Sequence, residues 1–184
     1  MDLLGRVDNI YRWYSVTTMI FFLDIEASSL DSGSYPIEIA WVDTQGFGES
    51  HLIQPESAWT NWSPVAESIH GISREQLARD GKPAGEVAQH VWDVLKGHVI
   101  CARDPAFDEY WLSLLLSVIG REPLRIVDLN ATVQSEAALP QRIGEVVLRV
   151  FKEDDQRQRL RHRAWQDADS LRWCWQQVRD RLDD

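Results

Sequence analysis

Two acids stand two residues apart at the end of an apolar run, where Ile20, Phe21, Phe22 and Leu23 lead into Asp24-Ile25-Glu26. Side chains alternate along a β-strand, so both carboxylates would project from one face. The apolar lead-in would bury that strand, and buried anions without compensation are expensive. A hard divalent cation supplies it, and Mg²⁺ and Mn²⁺ prefer such oxygen ligands. A solvent-facing strand end would carry the same pair without any ion. A third acid, Asp108, follows Ala102-Arg103-Asp104-Pro105 near the start of a predicted helix. Helix N-termini favour acids, so Asp104, Asp108 and Glu109 also suit plain helix-start positions. A fourth acid closes His162-Arg163-Ala164-Trp165-Gln166-Asp167. Five positions on an ideal helix are roughly 140° apart, so His162 and Asp167 act together only if the histidine sits in the lead-in loop. There an imidazole with a pKa of about 6.5 would suit proton abstraction from water. Surface decoration is the plainer role for a lone histidine.

Elements able to hold these residues follow from the apolar patterning. Strands are predicted over 19–26, 35–42 and 47–54, with turn-formers at 31–34 and 43–46. A short buried strand is predicted over 99–102 and another over 126–129. Helical spacing covers 83–95, 105–119 (with Pro105 at its start), 140–151 and 164–182. Three meandering antiparallel strands followed by alternating helix and strand predict an α/β fold with a mixed sheet and helices on its faces. Residues 1–18 show mixed polarity and no clean period, which predicts an N-terminal extension; a short amphipathic helix over 4–14 is the alternative. Residues 19–184 are expected to form a single domain, because the chain is too short to divide into two cores.

Nineteen Lys and Arg against 29 Asp and Glu give a formal charge of −10. That is the wrong sign for gripping nucleic acid over a broad basic face. A local grip on short or single-stranded ends is compatible with it. Arg157, Arg159, Arg161 and Arg163 gather before and around His162, either as a phosphate-binding rim or as a balance to Glu153, Asp154 and Asp155. Among nine tryptophans, Trp41, Trp92, Trp111 and Trp173 fall within regular elements and are expected in the core. Trp59 and Trp62 precede His70-Gly71, where an exposed ring could stack on a base for roughly 1–3 kcal/mol, although packing is the expected role. Cys101 and Cys174 lie far apart, with no metal-ligand spacing, which suggests neither zinc at the cysteines nor a disulfide. The uncharged stretch 110–120 falls well short of the ~20 apolar residues of a membrane span. No membrane partner and a cytoplasmic location are expected; no residue pattern argues for a homodimer.

The residues 22–30 (FLDIEASSL), 102–112 (ARDPAFDEYWL) and 162–168 (HRAWQDA) occur in that order. As a set they resemble the three motifs of the DEDDh exonucleases, a group that includes proofreading subunits of bacterial polymerases and oligoribonucleases. Tyr35-Pro36-Ile37-Glu38-Ile39-Ala40 and Ile69-His70-Gly71-Ile72-Ser73 extend the resemblance, which runs from Met19 to the end. It implies a ribonuclease H-like fold with a five-stranded mixed sheet, three antiparallel strands and then parallel ones, flanked by helices. It also implies a 3′–5′ exonuclease that hydrolyses DNA or RNA with two divalent cations, Mg²⁺ or Mn²⁺, and releases nucleoside monophosphates. Asp24, Glu26 and Asp167 would hold one ion, Asp24 and Asp108 the second, and His162 would be the general base. Ala27, Ser28, His70, Gly71 and Arg163 would contact the nucleic-acid 3′ end. Arg163 stands where the family's tyrosine type has its Tyr, which favours the histidine type. Asp104 replaces a usual Asn and Ala27 a usual Thr. The rival readings are a catalytically silent binding module on the same fold, or a carboxylate-metal phosphatase or endonuclease that needs no free end.

Overall fold

The computed structural model describes residues 18–134, 140–157 and 163–183. Strand β1 (Ile20–Ala27) pairs antiparallel with β2 (Pro36–Asp43), and β2 pairs antiparallel with β3 (Gly48–Gln54). The turns between them are closed by Gly33 and Gly46 at positive φ, 92° and 91°, conformations that glycine adopts without steric cost. Helices α1 (Pro64–His70) and α2 (Arg74–Asp80) lead to a two-residue strand, β4 (Lys82–Pro83), parallel to β3. Helix α3 (Ala84–Leu95) returns the chain to β5 (Val99–Cys101), parallel to β1 on its other side. Helix α4 (Pro105–Ser117) leads to β6 (Ile126–Val127), which completes the order β4-β3-β2-β1-β5-β6. Helices α5 (Leu129–Gln134), α6 (Pro140–Arg157) and α7 (Ala164–Asp183) follow.

Alternation along β1 divides the core in two. Phe21, Leu23 and Ile25 pack with Ile39 and Trp41 against α3 and α4, through Val87, Val91, Leu112 and Leu115. Phe22 points the other way, joining Ala40 and Val42 against α6 and α7 through Val147, Ala168, Leu171 and Cys174. Full burial of Phe22 contributes roughly 1.5–3 kcal/mol. Because Asp24 and Glu26 share its parity, they face α7. Strand β2 is buried along its whole length, as covering both faces of a sheet requires. A third cluster, Tyr35, Ile37, Ile72 and Leu77, seats α1 and α2, with Trp59 and Trp62 packed on it.

The five expected strands are present, and Lys82–Pro83 adds a sixth that is too short to leave a periodic signal. The last expected strand stops at Val127 rather than 129, because Asp128 caps α5: its Oδ1 accepts from Ala131 N–H at 2.7 Å. Helices α1 and α2, unforeseen in the apolar pattern, are seven residues each and announced only by their caps. Ser63 Oγ accepts from Ala66 N–H, and Ser73 Oγ accepts from Gln76 N–H. Helix α6 runs on to Arg157, past the expected end at 151. Trp41 and Trp111 are buried, and Trp92 and Trp173 pack at the core edges. The expected extension and the alternative helix over 4–14 fall on residues 1–17, outside the described residues. Among those described, no helix is long and apolar enough to cross a membrane.

Candidate metal centre

Asp24 and Glu26 lie on the α7 side of β1, and Asp167 sits in the first turn of α7. One carboxylate oxygen from each lies within 4.8 Å of the others. The start of α7 is fixed by Glu38 on β2, which is 2% exposed. Arg163 Nε donates to Glu38 Oε2 at 2.9 Å, Arg163 Nη2 donates to Oε1 at 2.6 Å, and Ala164 N–H donates to Oε2 at 3.1 Å. Glu38 is the cross-strand partner of Glu26. Two anions opposite each other repel, and the forked Arg163 contact offsets that repulsion while setting where Asp167 enters.

Asp108 arrives from the other edge of β1. Strand β5 pairs only with Ile20, Phe21 and Phe22, so β1 runs on beyond it. There Ile25 N–H donates to Asp108 Oδ1 at 3.1 Å. Asp108 stands in the first turn of α4 and is 5% exposed; it satisfies a backbone donor and, outside the three oxygens that converge, acts as a like charge on Asp24 and Glu26. Asp104, at the N-cap of α4, makes no side-chain cap bond and adds to the negative field on Asp108.

Crowding and burial hold protons on these acids. Burial, then Asp167 and Glu38, push Glu26 up to about 8 against the opposing pull of Arg163. Asp24 is raised well above the usual carboxylate range by burial first, then by Asp108, Asp167, Glu26 and Glu38. Burial likewise raises Asp108 to about 8; the Ile25 hydrogen bond works against it, and Asp104 and Glu26 add to it. Such a cluster suits divalent cations: a hard ion with oxygen ligands relieves both the burial and the mutual repulsion once the protons leave.

The residues expected at the substrate side have mixed placements. Ala27 lies at an irregularity in β1 pairing between Glu26 and Ala27, a feature that re-aims side chains beside functional sites. Ser28 is fully buried; its Oγ accepts from Tyr35 N–H at 3.1 Å and its carbonyl accepts from Ser63 N–H at 2.9 Å. His70 ends α1, with Nδ1 accepting from Ile72 N–H at 3.0 Å and a buried Nε2 that has no hydrogen-bond partner. It feels the charges of Glu38 and Arg163, and its burial pushes it below the usual imidazole range. Gly71 caps α1 in the left-handed conformation, φ 71°, with its N–H donating to Glu67 O at 2.8 Å. Arg163 has two of its nitrogens committed to Glu38. Trp59 stacks on Tyr35 at 5.6 Å, and Trp62 Nε1 donates to Glu67 Oε2 at 2.7 Å, so both half-buried rings are held by packing contacts. His162 and the expected arginine rim at Arg159 and Arg161 lie outside the described residues, as does the side chain of Arg157.

Glu38 is the residue that patterning alone missed. Its signal is a lone charge inside the apolar strand 36–42, where a buried acid demands a partner.

No protein-family model matches the chain, and no curated protein matches it. Solved structures do. The zinc-bound form of an E. coli exonuclease I complex with single-stranded DNA aligns with a TM-score of 0.67 at 14% identity, over 90% of this chain and 41% of that one. Apo exonuclease I aligns at 0.55 and 15%, over 64% and 30%. E. coli exonuclease I with a dA16 oligonucleotide aligns at 0.54 and 16%, over 64% and 29%. The chain thus spans between about 29% and 41% of the length of these exonuclease I chains. The fold is the ribonuclease H-like mixed α/β arrangement of exonuclease I.

Proposed function

We propose that this protein is a metal-dependent 3′–5′ exonuclease that hydrolyses phosphodiester bonds and releases nucleoside monophosphates. The observation that carries the reading is the convergence of Asp24, Glu26 and Asp167, with Asp108 beside them, on a sheet of the exonuclease I fold. Asp24, Glu26 and Asp167 would hold one Mg²⁺ or Mn²⁺, and Asp24 with Asp108 a second. Held by these residues, such ions would supply charge stabilisation for the attacking and leaving oxygens of an in-line displacement.

The chain's own residues supply the rest. His162, next in sequence to Arg163, takes the proton of the attacking water as general base. Glu38 and Arg163 hold the start of α7 and thereby Asp167. The terminal nucleotide would sit against Ala27, Ser28, His70, Gly71 and Arg163. The unpartnered Nε2 of His70 is a polar group still in need of a partner, while the Ser28 hydroxyl is already used in closing its loop. A charge of −10 favours a substrate entering by one end over a long duplex gripped along its side. Complexes of exonuclease I with single-stranded DNA support the same substrate class.

The test is digestion of 3′-labelled single-stranded DNA and RNA oligonucleotides with Mg²⁺ or Mn²⁺, next to oligonucleotides with a blocked 3′ end. Mononucleotide release that stops at the block is expected. Unchanged cleavage of blocked strands would instead identify an endonuclease. No shortening with either ion, on either nucleic acid, would leave a silent binding module.

A further inference from the structure

A second cluster of potential ligands lies on the opposite face of the sheet. Glu49 and His51, two apart on β3, are the cross-strand partners of Trp41 and Ile39, so they share the α3 side rather than the α7 side that carries Asp24 and Glu26. His90 comes down from α3, and Glu86 stands one turn before it on the same helix face. The Nε2 atoms of both imidazoles converge on one carboxylate oxygen: His51 Nε2 lies 3.0 Å and His90 Nε2 2.9 Å from Glu49 Oε2.

We propose that Glu49, His51 and His90 form a separate site for Zn²⁺ or a transition-metal ion of similar ligand preference. Two imidazoles and one carboxylate are a donor set that zinc takes while keeping a fourth position open. Zinc–ligand bonds of about 2.0–2.1 Å at tetrahedral angles put neighbouring ligand atoms about 3.3 Å apart, close to the two separations already present. The adjustment falls on Glu49 and His90, whose side chains are 47% and 40% exposed, whereas His51 is held at 9%. Trp41 packs against both rings, 5.4 Å from His51 and 5.6 Å from His90, and the two imidazoles meet edge to face at 5.3 Å. These contacts orient the rings before any ion arrives. The three side chains line a cleft of about 270 Å³ together with Lys82, Glu86 and Val87; water or the Glu86 carboxylate would complete the coordination. Among the described residues lining this cleft Lys82 is the one cation; its charge reaches His51, where it favours the neutral imidazole that a metal needs, and on the exposed strand β4 salt weakens it. Mg²⁺ belongs with the oxygen cluster and not here, because two of the three donors are nitrogen. A filled site would clip α3 to the β3 edge of the sheet.

The full-length Asp24→Asn chain, in which the carboxylate cluster is weakened as a competing site, is stripped with chelator and titrated with Zn²⁺ by calorimetry. Absorption of Co²⁺ in the visible reports the coordination geometry. One Zn²⁺ per chain is expected, together with a higher melting temperature that Mg²⁺ does not reproduce. His90→Ala in the same background, a half-buried helix position outside the core, is expected to weaken Zn²⁺ at least tenfold and to remove the Co²⁺ bands. Absence of Zn²⁺ uptake, or uptake unchanged by both His90→Ala and Glu49→Gln, overturns the site and reduces the three side chains to a hydrogen-bonded cluster.

Discussion

Loading the carboxylate cluster with Mg²⁺ must expel protons, and the number follows from the acids themselves. With Glu26 raised to about 8, its carboxyl is ~90% protonated at pH 7 in the ion-free chain. A ligating carboxylate has to be ionised, so metal binding releases ~0.9 proton from Glu26 alone. Asp108, also about 8, releases the same again if a second ion reaches it, and Asp24 adds to the total because its pKa is raised too. By pH 9 the Glu26 share falls to ~0.1. Calorimetric titration with Mg²⁺ in buffers of different ionisation enthalpy reads the release directly, as the slope of observed heat against buffer heat. The expected result is at least about one proton per chain at pH 7, a steep fall by pH 9, and a loss of ~0.9 at pH 7 in Glu26→Gln. Release below about 0.3 proton at pH 7 in the wild-type chain, or release that does not change between pH 7 and pH 9, would refute the crowding argument. The stability sign follows from the same shifts. These carboxyls have folded pKa values above their unfolded ones, so their contribution is fully present below the unfolded values and is lost as pH rises through about 8. The ion-free chain should therefore melt lower at pH 8.5 than at pH 6, and Mg²⁺ should close the gap. For Glu26 the move from 4.5 to about 8 sets an upper bound of roughly 5 kcal/mol, reduced by the water that reaches the cleft.

Asp24→Asn should raise the melting temperature of the ion-free chain at high pH, where the Asp24 carboxyl would otherwise have to ionise in a buried position against four other acids, while abolishing digestion and the stabilisation by millimolar Mg²⁺; loss of the folded state instead would make Asp24 structural. His162→Ala should lower turnover by about 10²–10⁴-fold with calorimetric Mg²⁺ affinity unchanged, and a wild-type rate would remove His162 from the mechanism. Glu38→Gln should cost about 1–3 kcal/mol in denaturant unfolding through the weakened Arg163 fork. The same variant should weaken Mg²⁺ roughly 10–100-fold, the range seen when a residue supporting the ligands is lost; unaltered Mg²⁺ affinity would show that Asp167 holds its place without Glu38.

The parity that sends Asp24 and Glu26 to one face is a local property of β1, and so is the apolar run that buries the strand; both are readable from eight consecutive residues. The helical spacing from Ala164 onward is equally local, which is why Asp167 falls in the first turn of α7 as expected. Asp108 is a different case. An acid in the first turn of a helix looks the same whether it steadies the helix end or faces a cation, and here the residue is in the first turn while its carboxylate is drawn across to Ile25 N–H. What decides its place is the shortness of β5, and the pairing length of a strand depends on its neighbours in space. Glu38 carries the point further. Its partner is 125 positions away, and only the packing of α7 on β2 brings Arg163 there. A charge inside a fully buried strand says that some partner must exist, since an unpaired carboxylate at 2% exposure would cost more than marginal stability allows; it does not say which. The same reasoning separates the two clusters. Glu49 and His51 alternate with Ser50 exactly as Asp24 and Glu26 do with Ile25, yet the strand pattern alone does not reveal that His90 covers the first pair and Asp167 the second. Periodicity fixes the face on which a ligand stands, and the helix that packs on that face determines which ligands it meets.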